Sequence, residues 1–223
     1  MLPPMDVHLE RVAACGVLPV VEIPPGTDPV ALVDALVGGG IDVIEITLRT
    51  PDALDAIRAI SAARPDVLVA AGTVLSAEQA NAALDAGASL LVSPGFSAAV
   101  VERAIKRGAA ILPGVCTPTE VEMGLARGLD AFKFFPAEAA GGRRFVAAMG
   151  GPYPHVRFVP TGGIDASLLD GYLALPNVLA CGGSWMVKRN LLEAGDMATV
   201  RRLAGEATAI VRAARHEPGA DAP

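Results

Sequence analysis

The feature that most restricts this chain is a grammar repeated along its length: a short apolar run closed by Gly, Pro or a hydroxyl residue, followed by helix-start signals. Val17–Ile23 is rich in β-branched residues and stopped by Pro24-Pro25-Gly26, which reads as a buried strand. Asp28-Pro29 supplies an N-cap and a first-turn proline for a helix through Val37, closed by Gly38-Gly39-Gly40. Strand Ile41–Thr47 leads to Thr50-Pro51 and a helix to about Ala63, and Val67–Ala71 leads to the capping-box pattern Ser76-Ala-Glu-Gln79. Leu90–Val92, Ala110–Leu112 and Asp130–Phe134 follow, with helices from near Ser97, Thr117-Pro-Thr-Glu120 and Gly142. Val156–Val159, a helix from Asp165 to about Leu173, Val178–Ala180 and a helix over roughly Asp196–Ala214 complete eight units behind an opening helix at Asp6–Cys15.

Strands this uniformly apolar have no wet face, so the sheet must be parallel and covered on both sides or closed on itself. The expected fold is an α/β (β/α)₈ TIM barrel with an additional N-terminal helix, a single domain over residues 1–215 with a flexible tail over 216–223. A doubly wound open sheet is the alternative, but no Gly-x-Gly-x-x-Gly opens the first helix. A hydrophobic content of 52% supports a large core, and a net charge of −6 supplies no basic footprint for nucleic acid. Cys15, Cys116 and Cys181 are odd in number and far apart, which fits free thiols in a reducing cytoplasm. Neither a signal-peptide pattern at Met1–Asp6 nor an apolar stretch long enough for a membrane span is present in the sequence.

In such a barrel the chemistry belongs where strands end and βα loops begin. Lys133 sits among Phe132, Phe134 and Phe135, where an ammonium loses hydration and burial favours the neutral, nucleophilic amine. A lysine snorkelling to water at a strand mouth is the competing reading. Alternation sends Phe132 and Phe134 outward and Lys133 into the barrel, on the same side as Glu45, Thr47 and Arg49 of the second strand. Glu45 and Arg49 are either a mutually satisfied ion pair or a proton-transfer acid beside an anion clamp. Thr73 ends the third strand, while Ser93-Pro94-Gly95 after the fourth reads as turn chemistry. Thr161-Gly162-Gly163 and Gly182-Gly183-Ser184 follow the last two strands, and paired glycines there let backbone amides cradle phosphate. His8, His155 and His216 lie outside the strand mouths, so no metal site is expected.

Gly40–Arg49, Ala71-Gly-Thr73-Val, Ser93-Pro-Gly95, Phe132–Pro136, Pro160–Gly163 and Gly182-Gly-Ser184-Trp resemble the 2-keto-3-deoxy-6-phosphogluconate (KDPG) aldolases, also called 4-hydroxy-2-oxoglutarate (KHG) aldolases. The resemblance implies a class I aldolase in which Lys133 forms a Schiff base and Glu45 shuttles protons, with no cofactor and no metal. Arg49 and Thr73, with Thr161 nearby, would hold the pyruvyl carboxylate. Pro94 and Phe135 complete the candidate substrate-binding set, and Gly162, Gly163, Gly182, Gly183 and Ser184 would hold phosphate. The implied partners are a phosphorylated 2-keto-3-deoxy sugar acid and pyruvate, and the implied assembly is a homotrimer. One departure stands out: some members carry an arginine near the end of the first strand, where this chain has Glu22, which must point away from the site or pair with an arginine. A phosphosugar epimerase on the same barrel and a non-catalytic phosphometabolite-binding protein are the rival readings.

Overall fold

The computed structural model describes residues 6–216. Its strands are β1 (Val17–Val21), β2 (Val43–Thr47), β3 (Leu68–Gly72), β4 (Leu90–Val92), β5 (Ala110–Leu112), β6 (Gly114–Val115), β7 (Ala131–Phe134), β8 (Arg157–Pro160) and β9 (Cys181–Gly183). Every ladder is parallel, in two runs ordered β5-β4-β3-β2-β1-β9 and β6-β7-β8. Two seams close the sheet into the expected barrel. Bridges Phe158↔Val178 and Thr161↔Gly182 join β8 to the β9 segment. At the other seam β5 and β6 are one stave interrupted at Pro113, whose carbonyl accepts from Lys133 N at 3.0 Å.

Helix signals are read locally, and most sit where the sequence puts them. The additional helix α1 (Val7–Cys15) is capped by Asp6, and α2 (Pro29–Gly38) by Asp28, whose carboxylate accepts from Val30 N and Ala31 N. Then come α3 (Ala53–Ala63), α4 (Ala77–Asp85), α5 (Ala98–Lys106), α6 (Pro118–Leu125), α7 (Gly142–Met149), α8 (Ala166–Leu173), α9 (Arg189–Glu193) and α10 (Met197–His216). Thr117 and Glu120 form a complete capping box at α6. At α4 only half of the expected box forms: Ser76 Oγ accepts from Gln79 N, but Gln79 Oε1 reaches Leu75 N at 2.7 Å.

Several strand ends move by one or two residues from the sequence reading, β1 stopping at Val21 and β2 starting at Val43 among them, and three further differences have a packing reason. Thr50-Pro51 lies in a turn, and α3 begins at Ala53 behind Asp52, because Ala53 N closes that turn on Thr50 O. The last ladder with β1 is made by Cys181–Gly183, three residues beyond the expected Val178–Ala180. Val178 and Leu179 instead pair toward β8, with Leu179 N on Phe158 O at 2.9 Å, so the chain meets β1 only after crossing that stagger. His216 ends α10 rather than beginning a tail, and the tail expectation for 217–223 lies outside the described residues. The short helix α9 and the strand β6 were not anticipated; each is too short to carry a periodic signal.

The core packs between staves and helices. Phe132, Phe134 and Phe158 point outward and are fully buried, with Phe134 stacked on Phe145 of α7 at 5.1 Å between ring centres. At the strand N-termini, α1 is tied down by Arg11, which reaches Asp42 Oδ2 at 2.8 Å and Asp66 O at 2.6 Å. Arg215 of α10 donates to Ala14 O and Leu179 O. These contacts close one end of the barrel and leave the other for the site. Among the described residues no helix is long and apolar enough to cross a membrane.

Burial pushes the Cys15 thiol up to about 11 and the Cys181 thiol up to about 12, so both stay protonated at pH 8. Titration with Ellman's reagent at pH 8 is expected to leave these two unmodified in the native protein and to reach them only in denaturant.

Candidate active site

Two strands that are far apart in sequence supply the central pair. Outward packing of Phe132 and Phe134 turns Lys133 inward, in register with Gly114 on β6 and Val159 on β8. On β2, Glu45 lies in register with Val20 of β1 and Ala70 of β3. Lys133 Nζ donates to Glu45 Oε1 at 3.1 Å across the barrel. Lys133 is 6% exposed and Glu45 1%. Two charges so enclosed are tolerable only as partners.

The pair fits because the wall beside it has no side chain. A Cβ built on Gly72 would lie 2.2 Å from Glu45 Oε1 and 2.7 Å from its Cγ. Gly72 is thus a residue of the site that the strand reading passed over; the available signal was a glycine closing an otherwise apolar strand, a mark of close approach. Thr73 follows at φ 57, a conformation costly for a β-branched residue. Thr47 is buried and donates to Val21 O at 2.9 Å, so this inward hydroxyl ties β2 to β1.

At the C-terminal ends of the strands, a cavity of about 170 Å³ is lined by Arg49, Phe135, Thr161, Gly162, Gly163 and Ser184, together with Val20, Ile164, Gly182 and Gly183. Phe135 sets its ring centre 5.5 Å from Lys133 Nζ, linking this cavity to the amine. Gly162 and Gly163 have φ of 103° and 81°, which only glycine adopts readily. Gly182 has a different task from the others: a Cβ there would meet Thr161 Oγ1 at 2.2 Å. Thr73 and Pro94 lie just beyond β3 and β4 but do not line this cavity, and Ser93 Oγ donates to Gly95 O at 2.8 Å, the turn role expected for that segment.

Glu22 pairs with arginine, as its position required: Oε2 lies 3.3 Å from Arg49 Nη1 and Oε1 3.8 Å from Arg189 Nη1. The glycine turn is braced from behind. Ala137 N and Glu138 N donate to Thr161 O and Gly162 O at 2.8 and 3.0 Å. The Glu138 carboxylate accepts a hydrogen bond from the buried Tyr172 hydroxyl, whose ionisation is pushed up by burial and by that carboxylate. A larger groove of about 440 Å³ between α2 and α10 shares no residue with the barrel mouth. Among the described residues no three His, Cys, Asp or Glu side chains are grouped to hold a metal ion.

A closed parallel barrel with one buried lysine–carboxylate pair beneath a glycine-lined mouth has the parts of a lysine-dependent carbon–carbon lyase. Residues 9–203 match the family model described as KDPG and KHG aldolase. A 2-dehydro-3-deoxy-phosphogluconate aldolase of Treponema pallidum is 48% identical over 91% of this chain and 95% of its own length. The crystal structure of a Legionella pneumophila KDPG aldolase, with pyruvate captured as a covalent carbinolamine, is 38% identical with TM-score 0.87 over 90% of this chain and 97% of that one. A Zymomonas mobilis 2-keto-3-deoxy-6-phosphogluconate aldolase with 3-phosphoglycerate is 44% identical with TM-score 0.84, covering 92% of this chain and 96% of that one. The chain belongs to the KDPG and KHG aldolase family.

Gly72→Ala is expected to displace the Glu45 carboxylate and lower kcat by about 10²-fold, the scale of an ångström-level misplacement. Circular dichroism should show the barrel retained, and a variant with wild-type kcat would contradict the assigned clearance.

Proposed function

We propose that this protein catalyses reversible retro-aldol cleavage of 2-keto-3-deoxy-6-phosphogluconate to pyruvate and D-glyceraldehyde 3-phosphate through a Schiff base on Lys133. It also takes 4-hydroxy-2-oxoglutarate, which lacks the phosphate, to pyruvate and glyoxylate. The observation carrying this reading is the buried contact of 3.1 Å between Lys133 Nζ and Glu45 Oε1.

Attack on the C2 ketone requires an amine that has given up its proton, and Glu45 is the group placed to take it. Nζ adds to C2 to give a carbinolamine, and Glu45 gives the proton it took to the departing hydroxyl, so loss of water leaves an iminium and a Glu45 carboxylate. The C4 hydroxyl then loses its proton to Glu45 through a water molecule, and the C3–C4 bond breaks. Its electron pair moves into the iminium, so the aldehyde departs and an enamine remains. Glu45 returns a proton to C3, and water hydrolyses the imine to free pyruvate and the lysine.

The remaining residues orient the substrate. Arg49 and Thr73 hold the pyruvyl carboxylate, Thr161, Phe135 and Pro94 border the chain, and the amides of Gly162, Gly163 and Ser184 with Gly182 and Gly183 receive phosphate. The glycine-lined cavity and the left-handed φ values at Gly162 and Gly163 support the phosphate role. The backbone strain at Thr73 supports a binding role there. We place this activity in the cytoplasm, consistent with free Cys15, Cys116 and Cys181, and in a homotrimer on the family resemblance. Light scattering should give three times the 22.7 kDa chain mass.

Borohydride reduction with pyruvate is expected to fix an adduct on Lys133, read by peptide mass spectrometry. Lys133→Met should remove both adduct and turnover, and failure of the wild type to trap pyruvate would refute the Schiff-base mechanism. Glu45→Gln should lower kcat by about 10²–10⁴-fold, the usual contribution of a positioned proton-transfer group, while still forming a trappable imine.

A further inference from the structure

Glu22 is a carboxylate at the mouth that the mechanism leaves without a task. It follows β1, and its two oxygens face two guanidinium groups: Arg49 Nη1 at 3.3 Å and Arg189 Nη1 at 3.8 Å. Arg49 borders the cavity formed by the glycine turns after β8 and β9. Arg189 opens α9, directly beyond the Ser184 loop, and is also held by Glu193 Oε1 at 2.7 Å. A carboxylate thus occupies the arginine that an anionic substrate would use.

We propose that Glu22 is a displaceable counter-anion that sets the affinity of the site for anionic keto acids. The proposal rests on the assignment of Arg49 to the substrate carboxylate. Before substrate enters, Glu22 neutralises Arg49; an entering carboxylate takes its place, and Glu22 remains paired with Arg189. The geometry suits such an exchange. The Glu22–Arg49 contact runs through a single Nη, with the two side chains 41% and 50% exposed, so the attraction is weak and screened. A substrate carboxylate able to engage the guanidinium fork through two parallel hydrogen bonds binds more strongly than one long contact. Because Arg189 stays within reach, displacement does not strand a bare carboxylate beside the incoming anion. Glu22 therefore raises the concentration of keto acid needed to fill the site and makes that concentration sensitive to salt.

The test uses borohydride trapping of pyruvate by the full-length protein, with the rate of adduct formation followed against pyruvate concentration. Glu22→Gln, which keeps shape and removes charge, is expected to lower half-saturating pyruvate by up to about fivefold, the scale of one exposed ion pair. The difference from wild type should shrink as salt is added. Unchanged half-saturation would overturn the proposal. A raised value would overturn it as well, making Glu22 a strut that presets Arg49. Arg49→Gln separates this proposal from the assignment beneath it: if that variant leaves half-saturation unmoved, Arg49 does not hold the carboxylate, whereas absence of any adduct in the wild type would refute the Schiff-base reading itself. Matching thermal melts would establish that the substitutions act on binding.

Discussion

A lysine and a glutamate facing each other at 3.1 Å inside a closed parallel barrel impose the terms on which the rest of this molecule is built. Removing one partner from such a pair typically costs about 3–5 kcal/mol, because the charge left behind has neither water nor a counter-ion. The surrounding structure therefore has to keep both groups in place. Phe132, Phe134 and Phe158 lock β7 and β8 against the helices and thereby fix which way Lys133 points. Gly72 leaves the volume into which the Glu45 carboxylate folds. Pro113 divides the fifth stave just where its carbonyl receives the Lys133 amide.

The two ends of the barrel divide stability from chemistry. At the strand N-termini, backbone carbonyls and carboxylates are taken up by Arg11 and Arg215, and the opening helix packs Leu9 and Val12 into the core. At the other end, side chains are removed rather than added: glycines follow β8 and make up the end of β9, and the cavity they form is joined to the buried lysine through Phe135. Arg49, Glu22 and Arg189 ring this opening as a half-exposed charge network. Such a network stores little stability, which leaves it available for exchange with a substrate anion.

Much of this was legible in the linear chain for specific physical reasons. Asp28-Pro29 and Thr117-Pro-Thr-Glu120 begin helices because capping is satisfied by neighbours within four residues. The inward face of Glu45 and Lys133 followed from strand alternation alone. Other features depend on partners that no local rule names. The last strand shifted because Val178 and Leu179 pair with Phe158 before Cys181 meets Val17. Gln79 satisfied Leu75 N rather than its expected capping partner, since a local motif fixes the available donors but not which one a side chain takes. Gly182, grouped in the sequence with the phosphate loops, gains its clearest role from clearance over Thr161.

The sequence by itself determined the alternation of buried strands and capped helices, the parallel sheet buried on both faces that this requires, and the inward placement of one lysine and one glutamate. These are consequences of period and polarity, which a chain carries locally. Only the tertiary structure decided that residues 88 positions apart approach within hydrogen-bond distance, that Gly72 makes room for one of them, and that Glu22 faces two arginines. Those outcomes depend on strand stagger and on the space between staves, which arise only when the barrel closes.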